Sequence, residues 1–291
     1  MSGNILFYIV FLSQIFLLSF YLPGKILGRV KSVLEMYPAS QYPKLYPRPV
    51  EEYKKGQRWY RLVNRAILLL GFVILLALLF VVDHASFADD GFISEAWPAV
   101  YGMIQFLPLM LLEFSEFSHF KLMRKANQDT TRKAELHPRR LTGFVSPAII
   151  GLAVLLYAGS ILLDLYWHDF VIQWDHDTTQ RAIVLTVTNL FMAGFGAWHL
   201  HGRKLDPHQA FGDRAKQISA NLKVILYVSM AMSVFFMTTA ADDVYDLDFL
   251  DASLLSLYFQ VIAFVSIGHM LRSMRPEDMD FEVYRNDITA V

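Results

Sequence analysis

Seven long blocks of mainly apolar residues constrain this chain more than any other feature. They lie at approximately 4–22, 64–82, 97–117, 143–166, 182–201, 222–241 and 252–271. A helix needs about 20 such residues to cross roughly 30 Å of hydrocarbon. Lipid cannot satisfy open backbone groups, and the blocks lack the period-two alternation of barrel strands. The expected fold is therefore an all-α polytopic membrane protein: seven transmembrane helices in a single integral membrane domain over residues 1–291. Composition agrees, with 55% hydrophobic and 18% charged residues, against about 25% charged in an average globular protein.

The charges between the blocks set the direction. Of the 26 Lys and Arg residues, all but Arg181 follow spans one, three, five or seven. The opposite loops are acidic, with Asp83, Asp89, Asp90 and Glu95, then Asp164, Asp169, Asp175 and Asp177, then Asp242, Asp243, Asp246, Asp248 and Asp251. Basic residues collect on the cytoplasmic side of multi-pass proteins. The amino terminus is accordingly expected outside and the carboxyl terminus in the cytoplasm, in a cell inner membrane of bacterial type. The first block reads as a retained span, because Met1-Ser-Gly-Asn4 carries no positive charge and no small-x-small cleavage site precedes Lys25.

Residues 23–63 form the longest segment between spans. Ile26, Leu27, Val30, Val33 and Leu34 make one apolar helical stripe with Lys25, Arg29 and Lys31 beside it, as in a cytoplasmic amphipathic helix lying on an anionic lipid surface. A Tyr/Pro-rich connector follows, with Tyr37-Pro38, Tyr42-Pro43 and Tyr46-Pro47-Arg48-Pro49. Proline fixes φ and biases its predecessor toward extended geometry, so a polyproline-like stretch is expected. Besides the lipid bilayer, the partner it points to is a membrane or cytoplasmic protein docking through residues 24–63; the plainer reading is a stiff connector across the helix ends. No nucleic-acid partner is expected.

The chain has no cysteine, which excludes thiolate metal sites and cysteine nucleophiles. It has no Walker-type or GxGxxG loop for phosphates. The last span has no lysine for a retinal Schiff base, and no His-x-x-x-His pair occurs.

The candidate site lies at the inner end of span three, in Leu111-Leu-Glu113-Phe-Ser-Glu116-Phe-Ser-His119. Residues three apart share one helical face. Carboxylates at a helix C-terminus sit where the dipole favours cations, and ionisable residues within a span usually face a bundle interior or water. Topology brings His199 and His201 of span five and His269 of span seven to the same depth. Carboxylate plus imidazole suits a divalent metal, and paired histidines suit b-type haem. The structural alternative pairs Glu113 and Glu116 with Arg65, Arg139, Arg140 or Arg203. Asn189 and Gln260 are expected to hydrogen-bond between helices. With no nucleophile–base arrangement in view, the favoured function is a non-enzymatic membrane component: an accessory or assembly subunit, a sensor or a small-solute carrier. The alternative is a metal- or haem-dependent membrane enzyme with a Glu/His site near the cytoplasmic ends of spans three, five and seven.

Overall fold

The computed structural model describes residues 2–82, 94–127, 139–174 and 176–285. The described residues form helices and no strand. Among the described residues, seven helices are long and apolar enough to cross a membrane, as the hydrophobic blocks require. The chain is a multi-pass membrane protein.

The first rod comprises α1 (Ser2–Phe16), a π segment (Leu17–Tyr21) and α2 (Leu22–Met36). The π turn falls where Pro23 would otherwise collide with the carbonyl one turn back, and Leu22 N–H instead reaches Leu17 O. The amphipathic stripe expected at the lipid surface is thus the continuation of the first span. Helix α3 (Val50–Val82) likewise starts fourteen residues before the apolar block at 64. Helices α4 (Ala96–Ala126), α6 (Pro147–Trp167), α7 (Asp177–His201) and α8 (Phe211–Tyr245) follow, with a single turn, α5 (Leu141–Phe144), ahead of α6. The last rod comprises α9 (Asp251–Ala263), a second π segment (Phe264–Gly268) and α10 (His269–Ser273).

The first and last rods pack side by side and run in the same direction. Phe7 and Phe11 share a core with Ala252, Gln260 reaches Val10, Leu18 and Leu22 pack on Ala263, and Arg29 donates to the Leu271 carbonyl. Parallel alignment of the ends requires an odd number of crossings, in keeping with seven. A second group, α6, α7 and α8, shares a core of Val145, Leu200, Ile218 and Leu222. Helix α8 packs on both groups and joins them.

Arg181, the one cation out of step with the charge pattern, pins the second group. Its guanidinium binds Asp164 of α6 through two hydrogen bonds of 2.9 Å each and also binds Asp243 of α8. One cation therefore ties three helices at the acidic end, where carboxylates dominate.

At the basic end the connector and the C-terminal tail lock together. The connector is compact rather than polyproline-like: a turn closes at Tyr42 N–H to Pro38 O, and Pro43–Leu45 is a 3₁₀ turn. Pro38, Pro43 and Pro49 each start a turn, and Tyr37, Tyr42 and Tyr46 share φ near −123° with ψ of 58–76°. Tyr37 stacks on Phe281 at 4.0 Å, Tyr42 donates to Glu282, and Tyr42, Met123, Phe281 and Tyr284 form a buried cluster. Tyr284 donates to the buried Asp206 carboxylate.

Both locks can be tested by substitution. Arg181→Ala leaves Asp164, whose side chain is only 7% exposed, without its cation, and is expected to destabilise the fold by about 3–5 kcal/mol in thermal unfolding. Burial and the Asp206 charge raise the Tyr284 phenol well above its ordinary value. The folded state therefore holds that proton longer than the unfolded chain, so the latch is intact below the ordinary tyrosine pKa of about 10 and weakens as pH rises beyond it. Limited proteolysis of the tail should accelerate above that pH in the parent protein. In Tyr284→Phe, which has no proton to lose there, that increase should be smaller.

Candidate functional site

Three helical stripes converge at the basic end. On α4, Leu112, Ser115, Glu116 and His119 follow the i, i+3, i+4, i+7 spacing that puts them on one face. On α3, Tyr53, Gln57 and Tyr60 share a face; on α2, Ile26, Val30, Val33 and Leu34 do so. These stripes, with Leu45, Tyr46 and Arg48 of the connector, enclose a cavity of about 720 Å³. That is within the range of about 300–1,000 Å³ typical of small-molecule sites.

The wall contributed by α2 is apolar and the facing walls are polar. His119 Nδ1 lies 3.1 Å from the Tyr53 hydroxyl, with the two rings edge to face. Tyr46 packs edge to face on Tyr53, donates to the Tyr37 carbonyl at 2.7 Å, and is pushed by burial up to a pKa of about 12. It is a fixed, neutral donor. Glu116 has no hydrogen bond or ion pair among the described residues. Tyr60 is 7% exposed, yet its hydroxyl is buried without a partner, as is the Gln57 amide nitrogen. Buried polar groups are nearly always paired, so two orphans in one cavity wall require an explanation. Arg48 and Glu52 approach to 3.9 Å, and Lys55 also lines the cavity. Two cations and two carboxylates give the cavity no net charge.

Of the six residues expected to form a polar site, only Glu116 and His119 line this cavity. Glu113 lies exposed on α4 and forms no hydrogen bond or ion pair among the described residues. His199 meets Asn221 of α8 at 3.1 Å, with its ring edge-on to Phe195. His201 is exposed at the end of α7. His269 meets Ser273 at 3.1 Å and packs against Tyr227. Among the described residues, three His, Asp or Glu side chains with mutually close ligand atoms occur at Asp242, Asp248 and Asp251, and the six do not form such a group. The pairing of Glu113 and Glu116 with arginine is also absent among the described residues. Arg139 donates instead to the Leu200 carbonyl.

Both amides singled out in the spans bridge helices: Asn189 accepts from Ser229 of α8, and Gln260 donates to Val10 O at 3.0 Å and accepts from Ser13. A larger buried network is not evident from the sequence. Gln14 donates to Gln105 (2.9 Å) and accepts from Ser256 (2.6 Å), while Gln105 donates to Ser19 (2.8 Å). Tyr101 donates to the Ile67 carbonyl at 3.0 Å, and a Cβ at Gly71 would overlap its hydroxyl. The one signal for it is an isolated glutamine in each of spans one and three.

No protein-family model, curated protein or solved structure matches this chain.

An unpaired buried hydroxyl costs about 1–3 kcal/mol. Tyr60→Phe is therefore expected to raise, not lower, the unfolding temperature of the ligand-free protein in detergent. A drop would mean that the hydroxyl has a structural partner.

Proposed function

We propose that this protein is a non-enzymatic component of a bacterial inner membrane, amino terminus outside and carboxyl terminus in the cytoplasm, that binds an uncharged amphipathic molecule at its cytoplasmic end. The observation that carries this reading is the cavity between α2, α3 and α4, with its apolar wall, balanced charges and unpartnered Tyr60 and Gln57 groups. An acyl or isoprenoid tail fits the α2 wall. A carbonyl head accepts from Tyr60 and Gln57, and a hydroxyl head can also donate to the Glu116 carboxylate. The charge balance disfavours a phosphate. Residues 24–63 serve in this reading to build the binding chamber and close its end. The orientation is supported by the arginine and lysine distribution. The function is that of a sensor or carrier of a lipid-like molecule.

A metal- or haem-dependent enzyme has less support. It needs His199, His201 and His269 beside Glu116, whereas His199 and His269 have other neighbours and His201 is exposed. Stoichiometric metal or a haem absorption band in the purified protein would favour it.

The binding test uses decylubiquinone, with a carbonyl head, and dioctanoylglycerol, with a hydroxyl head, on the full chain in lipid nanodiscs. At least one should raise the unfolding temperature saturably, and the quinone should quench Trp59, which lines the cavity. Each hydrogen bond to the head contributes about 0.5–1.5 kcal/mol, so Tyr60→Phe should weaken binding of either probe, and Glu116→Gln that of dioctanoylglycerol, roughly 2–10-fold. No saturable response to either probe, or equal responses in the variants, would refute the reading.

A further inference from the structure

The turn between α8 and α9 gathers three carboxylates from separate local structures. Asp242 lies in the last turn of α8, Asp248 opens the 3₁₀ turn Asp248–Leu250, and Asp251 is the first residue of α9. Between them Asp246 adopts a left-handed conformation (φ 52°, ψ 51°), and its N–H and that of Leu247 both return to the Asp242 carbonyl. The chain thereby doubles back, and one oxygen from each of the three side chains lies within 4.8 Å of the others.

Topology explains why acids collect at this end, and the α9 N-terminus suits Asp248 and Asp251 through its dipole. Neither explains Asp242. It sits at the C-terminal end of α8, where the dipole disfavours an anion, and it is 3% exposed. Its Oδ1 is buried without a hydrogen-bond partner, and among the described residues none of the three carboxylates has an ion pair. Its neighbour Asp243 does have a cation, Arg181. A buried carboxylate facing two others is strongly unfavourable unless a proton or a cation is placed among them.

We propose that Asp242, Asp248 and Asp251 hold a divalent cation of the calcium class. The donor set is all oxygen, which selects a hard ion over zinc or copper, and calcium's flexible coordination is completed by water and backbone carbonyls. The ion fastens the end of α8 to the start of α9, the junction between the two helix groups. This site is independent of the cavity at the opposite end, and neither reading depends on the other.

The test is ⁴⁵Ca²⁺ flow dialysis on the full chain in phosphatidylcholine nanodiscs, whose neutral lipid avoids headgroup binding. Roughly 0.1 M NaCl screens surface charge beyond about 10 Å. One saturable calcium per chain is expected, with Kd of about 0.1–1 mM, the range of extracellular calcium modules, and with a rise in unfolding temperature. Asp242→Asn should abolish binding. If that variant does not fold, the exposed Asp248→Asn carries the test and should weaken binding at least tenfold. Asp169→Asn, an acid elsewhere at the same end, should bind as the parent does. No saturable calcium in the parent, equal affinity in Asp248→Asn and Asp169→Asn, or tighter binding of zinc than calcium would overturn the assignment.

Discussion

Gln14 lies near the middle of the first apolar block with its side chain fully buried. An amide at that depth has no water to turn to, so its neighbours must satisfy it. Gln105 of α4 and Ser256 of α9 do so, and Gln105 in turn reaches Ser19. This chain of amides and hydroxyls brings the first and last spans into parallel contact. Apolar packing alone gives no comparable preference for register, because lipid tails are as apolar as the helix faces. One turn on from Gln14, Leu18 of the first π segment and Leu22 pack on Ala263, the residue before the second. With that contact fixed, α2 has a set position over α3 and α4, and the cavity at the basic end has its walls.

The spans are legible in the sequence because hydrocarbon imposes a strong, local rule that each helix obeys alone. Their ends are less so. Residues 23–36 and 50–63 carry many charges, which reads as a break in the membrane segment; helical hydrogen bonds are indifferent to this once the chain leaves the hydrocarbon. The connector reads as extended because proline restricts its predecessor without fixing the residues after it, and the Tyr37–Phe281 and Tyr42–Glu282 contacts come from the other end of the sequence. Glu116 and His119 stand out through their placement in a span. Their partners on α3 do not, because Tyr53, Gln57 and Tyr60 fall in a stretch whose sequence resembles a soluble loop. The arginine pairing expected for Glu113 and Glu116 fails for a related reason. Arg139, one of the expected partners, turns instead to the Leu200 carbonyl.

Arg181 shows how an exception to a pattern can locate structure. Charge sorting leaves the loops at the acidic end without compensation, and a single arginine there changes the local balance for three helices at once. Asp164 and Asp243 take its guanidinium, and Asp242, one residue away and more deeply buried, receives none. Adjacent residues on a helix point about 100° apart, so one cation cannot serve both. The unmet charge on Asp242 thus arises from the same geometry that makes the Arg181 triad strong. Helix α8 carries both features and also packs on α6, α7 and α9. An ion or proton taken up at the α8–α9 turn therefore acts on the junction between the two helix groups.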